Sequence, residues 1–175
     1  MDSQRMDSQR TDRQATQRPE EVISPLTLHA CAVAIGENGV LIRGASGAGK
    51  STLALALVEA QILAGGFARL VGDDRILAHA AGGRVVMSPH RAIEGLVEWR
   101  GMGLLEQAFE PSAVLSLVVD LESGPPTLLP RLPEPETLET SLCGVKGLAR
   151  LRLPAWQTAL SVAAIMVFLH KMPLK

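Results

Sequence analysis

Gly39-Val40-Leu41-Ile42-Arg43, then Gly44-Ala45-Ser46-Gly47-Ala48-Gly49-Lys50-Ser51, then Thr52-Leu53-Ala54-Leu55-Ala56-Leu57-Val58 is the stretch that decides the fold. Its first part is short and β-branched-rich, its last part Ala/Leu-rich, and the octet between them satisfies G-x-x-x-x-G-K-[ST]: strand, phosphate loop, helix. Consecutive backbone N–H groups of such a loop form a concave anion nest, and the helix N-terminus adds its positive end. Lys50 supplies a mobile charge for the β- and γ-phosphates, and the Ser51 hydroxyl is placed for Mg²⁺. Residues 44–52, Thr52 included, are therefore expected to bind a nucleoside triphosphate such as ATP.

Outward from the loop, the helix should cover 52–63, lie buried against a sheet and stop at Gly65-Gly66. Residues 26–35 alternate weakly and reach the turn Gly36-Glu37-Asn38-Gly39, so they should form a hairpin with 40–43. A third strand is expected over 67–71, another hairpin over 76–80 and 84–88, and a long apolar strand over 114–121. A Pro-rich loop over 124–135 follows. Residues 151–153 read as an edge strand and 155–169 as a closing helix, which makes the whole an α/β domain with a mixed sheet.

With 175 residues and 47% hydrophobic content the chain has material for one domain and one core. A net charge of −1 gives no electrostatic case for a nucleic-acid partner. The late apolar run over 159–169 is too short to span a bilayer, so no membrane segment is expected. Two cysteines, Cys31 and Cys143, sit among small or apolar residues and read as structural thiols of a cytoplasmic protein. The tail over 1–22 repeats Met-Asp-Ser-Gln-Arg, has almost no apolar residue and is expected to be disordered, with 23–175 forming the domain.

Asp73-Asp74 follows a short apolar strand, which puts two carboxylates just past its carboxyl end, where open α/β sheets hold ligands. One suits Mg²⁺ and the other suits proton acceptance from an attacking hydroxyl; the plainer reading is a turn pair. In Leu96-Val97-Glu98-Trp99-Arg100-Gly101-Met102-Gly103, strand alternation puts Glu98 and Arg100 on one face. Near a nucleotide they would hold metal and phosphate, elsewhere a surface ion pair. His29 alone in a strand reads as a structural residue.

Taken together these segments resemble the catalytic domain of HPr kinase/phosphorylase, the bacterial family that phosphorylates a serine of the phosphocarrier protein HPr. The resemblance rests on His29, on the loop from Gly44 to Ser51, on Leu70-Val71-Gly72-Asp73-Asp74, and on the E-x-R-G-x-G signature from Glu98 to Gly103. Arg131-Leu132-Pro133 is similar to the family's substrate loop. Two departures stand out. Nothing before residue 25 could form the extra N-terminal domain of long members, as in the short alphaproteobacterial form, and the basic Gly-Arg-Asn segment of long members has no counterpart near 144–152.

The resemblance implies a phosphate-loop (Walker A) kinase domain with a mixed sheet, of the PEP carboxykinase-like kind, using ATP and Mg²⁺. It implies Asp73 as the general base toward serine and, protonated, as the acid in the reverse attack of inorganic phosphate on phosphoserine, with His29 orienting it. Asp74 and Glu98 would join Ser51 around Mg²⁺, while Lys50, facing solvent, and Arg100 would hold phosphate oxygens. It also implies HPr as partner, regulation of the sugar phosphotransferase system and assembly as a hexamer. Three other readings are weighed against it: a small-molecule kinase, whose arginine-bearing lid is not evident, a non-enzymatic nucleotide switch, for which the guanine motif N-K-x-D is missing, and a structural role with the loop occupied but catalytically idle, which a dispensable Asp73 would favour.

Overall fold

The computed structural model describes residues 24–124 and 129–171, so the expected tail over 1–22 and part of the Pro-rich connection lie outside the described residues. The strands are β1 (Leu26–Leu28), β2 (Cys31–Ile35), β3 (Asn38–Gly44), β4 (Ala68–Gly72), β5 (Ile76–Ala81), β6 (Arg84–Pro89), β7 (Leu96–Trp99), β8 (Gly103–Glu106), β9 (Ala113–Glu122), β10 (Glu139–Leu142) and β11 (Val145–Pro154). Helix α1 (Lys50–Leu63) follows β3 and α2 (Thr158–Lys171) follows β11. None of these helices is long and apolar enough to cross a membrane.

Nine of the strands make one mixed sheet in the order β1-β5-β6-β9-β3-β2-β4, with β11 and β10 added beside β9; β7 and β8 form a separate hairpin. The centre of the sheet is β9, parallel to β3 on one side. Its other side meets β6 through Ala113 and Val114, then β11 in parallel register from Leu117 onward. Such central strands are covered on both faces, which explains their unbroken apolar runs. Val33, Ile35, Val40, Ile42, Leu117 and Val119 pack with Leu53, Ala54 and Leu57 of α1 and Ile165 of α2. On the opposite face Ala32, Ala34, Leu41 and Val118 pack with Ile76, Ala78, Val85 and Met87.

Several expectations are refined. The run over 26–35 is two strands, because β1 leaves to pair with β5 while β2 pairs with β3 and β4. Residues 151–153 belong to a ten-residue strand whose first half is covered by β10. Helix α1 buries Leu53, Ala54 and Leu57, but its last turn leaves Ile62 and Leu63 exposed, so only one face is covered.

Strand polarity fixes where function concentrates. Because β2 runs antiparallel to both β3 and β4, the carboxyl ends of β3 and β4 lie at the same edge as the start of β2. The carboxyl ends of β9 and β11 lie there too, since both run parallel to β3. The phosphate loop, Asp73-Asp74, His29 and the segment after Pro154 thus converge from four parts of the sequence.

Candidate functional site

At that edge opens a cleft of about 410 Å³. Ser46, Gly47, Gly49, Lys50, Ser51 and Thr52 line it from the loop, and His29, Asp73 and Asp74 from the strand ends. Glu98, Trp99 and Arg100 enter from the β7–β8 hairpin, and Trp156 from the turn between β11 and α2. Gly47 and Gly49 have φ of 76° and 92°, a region closed to most side chains, which lets successive loop N–H groups turn toward the cleft. Gly44, Ala45 and Ala48 do not line it; Ala48 is buried under the loop and the other two present carbonyls to Lys50.

Lys50 was expected to face solvent, yet it is 7% exposed. Its Nζ donates to the Gly44 and Ala45 carbonyls at 3.1 Å each and lies 3.2 Å from His29 Nε2. These two carbonyls draw the ammonium back onto its own loop. An ammonium has only donors, so His29 Nε2 must accept, which leaves the ring proton on Nδ1. That Nδ1 lies 2.9 Å from Asp74 Oδ1. Lys50, His29 and Asp74 form one hydrogen-bonded chain.

The two aspartates are turned apart by the backbone. Arg75 N–H donates to the Asp73 carbonyl at 2.7 Å, an i to i+2 bond that makes Asp74 the centre of a tight three-residue turn with φ of 62°. Asp73 consequently points inward and is 4% exposed. Its Oδ1 accepts from Ser51 Oγ at 2.9 Å and from the Cys31 thiol. Asp74 points outward with 57% of its side chain exposed, held by His29 and, at 3.8 Å, by Arg75. The expectation that His29 orients Asp73 is corrected: the contact of His29 is with Asp74, because the turn carries Asp73 to the other side.

Cys31 was read from the sequence as structural only. The β2–β4 register pairs Ala32 with Gly72, which sets Cys31 beside Asp73. Burial pushes the Cys31 thiol well above its ordinary range, and the Asp73 carboxylate beside it pushes it further. It therefore stays a neutral donor. Below the loop, Arg43 Nε and Nη2 donate to the two Asp120 carboxylate oxygens at 2.7 and 2.9 Å, and Arg150 Nε donates to Oδ2 at 2.6 Å. Burial opposes ionisation of Asp120, but the two guanidiniums outweigh it and hold the carboxyl below its usual range.

The other expected residues divide. Glu98 and Arg100 both line the cleft, although Arg100 lies in the turn after β7 and not in the strand. Arg131 to Pro133 are absent from its lining and Leu132 is 88% exposed. Among the described residues no three His, Cys, Asp or Glu side chains gather as a ready-made metal cage. Trp156 escaped the sequence reading, which placed it inside the closing helix expected over 155–169; α2 starts at Thr158, two residues later, and leaves Trp156 in the turn before it.

A Walker A loop on a mixed sheet, with carboxylates at the neighbouring strand end, defines a phosphate-loop domain. More narrowly, the chain belongs to the HPr serine kinase C-terminal domain family, whose model matches residues 20–149. It is 33% identical over 100 residues to the HPr kinase/phosphorylase of Mycoplasma mycoides, covering 53% of this chain and 30% of that one. Against the HPr kinase/phosphorylase of a Geobacillus species it is 38% identical over 116 residues, with coverages of 61% and 35%. The chain thus spans about a third of the length of these relatives. The solved Hpr(Ser) kinase/phosphatase from Coxiella burnetii shares the fold, with a TM-score of 0.68, 24% identity and coverage of 84% of this chain and 92% of that one.

Proposed function

We propose that this domain transfers the γ-phosphoryl group of ATP to a serine hydroxyl of an HPr-type phosphocarrier protein, in the cytoplasm, and runs the reverse attack of phosphate on phosphoserine. The observation that carries the reading is the pair of contacts made by adjacent carboxylates beside one phosphate loop: Asp73 with Ser51, Asp74 with the His29–Lys50 chain.

The donor set fits Mg²⁺. A hard cation that keeps several waters and takes one or two carboxylates beside substrate phosphates matches the Ser51 hydroxyl and the Asp73 carboxylate, with Glu98 across the cleft. When bound, the ion neutralises charge on the phosphates. The geometry thereby favours an exchange of the two roles implied by the family resemblance: Asp73, buried and already bonded to the loop serine, for the metal, and Asp74, outward-facing, for the proton.

In the forward direction Asp74 accepts the serine proton as the serine oxygen bonds to the γ-phosphorus and the β–γ bridging bond breaks. His29 Nδ1–H holds the carboxylate in place, and its Nε2 keeps Lys50 at the loop. Lys50 and Arg100 steady phosphate oxygens, and the loop N–H groups supply the rest of the charge compensation. In reverse, phosphate oxygen attacks the phosphoserine phosphorus, the serine oxygen leaves with the proton from Asp74, and pyrophosphate and free serine result. Positioning and electrostatics suffice for such a loose transition state, with no covalent enzyme intermediate.

Incubation of the purified chain with γ-labelled ATP, Mg²⁺ and HPr is the test. Label on an HPr serine, released as pyrophosphate when unlabelled phosphate is added, is the expected result. Transfer to small hydroxylated metabolites instead, or ATP binding without transfer, would contradict it.

A further inference from the structure

The geometry points to Trp156 as the platform on which the nucleotide base stacks, an inference that rests on the phosphate-loop reading above. Tryptophan is ordinarily well covered in folded proteins, yet Trp156 is 69% exposed at the cleft wall. Its backbone has φ of 65°, a left-handed conformation that is an outlier for a bulky side chain and persists only where the surroundings impose it. Both neighbours are tied down: Ala155 N–H donates to the Glu122 carbonyl at 2.9 Å, and the Gln157 carbonyl accepts from Ser161 N–H at 2.9 Å as α2 begins. A strained residue held between two anchors, with its ring left to solvent, is a placed surface.

The ring is also on the appropriate side of the loop. Its Cε3 and Cζ3 lie 3.7 and 3.9 Å from where a Cβ on Gly49 would stand, so the indole covers the start of α1. Lys50 Nζ and Ser51 Oγ instead point toward His29 and Asp73. The cleft therefore has a charged end, where the terminal phosphates and the acceptor hydroxyl belong, and an indole end. A base extending from phosphates seated at Gly49 to Thr52 meets an aromatic face there. Stacking tolerates any base, so this surface adds affinity for nucleotides over bare phosphates without choosing among purines.

Calorimetric titration of Mg²⁺-ATP and of Mg²⁺-tripolyphosphate into the wild type, Trp156→Phe and Trp156→Gly separates the base from the phosphates. Trp156→Gly removes ring and strain together, so its melting temperature should not fall, while ATP binding weakens about tenfold and tripolyphosphate changes by less than about twofold. Trp156→Phe should lie between. In Trp99→Phe, which leaves Trp156 as the sole indole of the two in the chain, ATP and not tripolyphosphate should change the fluorescence. Unaltered ATP affinity in Trp156→Gly, an equal loss for both ligands, or a fluorescence response that vanishes with Trp99 would overturn the assignment. A wild type that binds neither ligand would overturn the phosphate-loop reading itself, and the stacking role with it.

Discussion

His29 is bonded at both ring nitrogens, Nδ1 to Asp74 Oδ1 at 2.9 Å and Nε2 to Lys50 Nζ at 3.2 Å, so one imidazole couples the outward carboxylate to the phosphate-loop lysine. His29→Ala should lower turnover of HPr phosphorylation by about 10- to 100-fold while ATP affinity changes little, since the ring positions Asp74 and leaves the loop amides intact. Steady-state rates beside a nucleotide titration read the two effects separately. A variant that loses ATP affinity and keeps its turnover would show His29 to be a binding residue.

Lys50→Ala removes a cation that now bonds two loop carbonyls as well as awaiting phosphate. Turnover should fall by about 10²-fold or more, and thermal unfolding should register a modest loss of about 1–2 kcal/mol, because the carbonyls return to water and the fold keeps its core. Far-UV circular dichroism should be unchanged.

Cys31 should resist thiol reagents. The nucleophile is the thiolate, and burial together with the Asp73 carboxylate suppresses it. Iodoacetamide at pH 8 should modify the partly exposed Cys143 in the folded protein and leave Cys31 intact until denaturant is added, as peptide mass spectrometry would show. Fast labelling of Cys31 in the native protein would mean that the β2–β4 edge opens.

Asp120 ties β3 to β11 through Arg43 and Arg150 beneath the phosphate loop. Asp120→Asn should cost about 2–3 kcal/mol at pH 7 in chemical denaturation, the scale of losing charge-assisted bonds from a partly buried group. The folded carboxyl is held below its unfolded value of 3.8, so its contribution is complete above that value and disappears as pH falls through the lower folded one. The gap between wild type and variant should therefore narrow below about pH 4. A gap that is constant from pH 7 to pH 3 would assign the loss to packing.

The phosphate loop, α1 and the β2–β3 and β5–β6 hairpins were legible because their signals are local: a fixed Gly/Lys/Ser spacing, or two apolar runs around a short turn. The strand β8 was hidden because its apolar run is only Leu104-Leu105, and the first half of β11 because Lys146 and Gly147 interrupt its apolar pattern. Contacts set by strand order were beyond reach. Cys31 meets Asp73 only because β4 lies beside β2, and Trp156 meets the loop only because β11 runs parallel to β9. The separation of Asp73 from Asp74 depends on a single backbone angle, which adjacent identical residues do not reveal.

Paired initial-rate assays on Asp73→Asn and Asp74→Asn distinguish a proton carried by Asp74 and a metal held by Asp73 from the reverse division of roles. Each substitution keeps shape and removes a carboxylate. HPr plus ATP measures one direction and phospho-HPr plus phosphate the other, both across a Mg²⁺ titration. Asp74→Asn should depress both directions by about 10²-fold or more with its Mg²⁺ requirement unchanged. Asp73→Asn should shift the Mg²⁺ requirement upward, with activity partly restored at saturating metal. An Asp74→Asn enzyme of normal rate in both directions, or an Asp73→Asn enzyme inactive at every Mg²⁺ concentration while still binding the metal normally, would contradict the assignment.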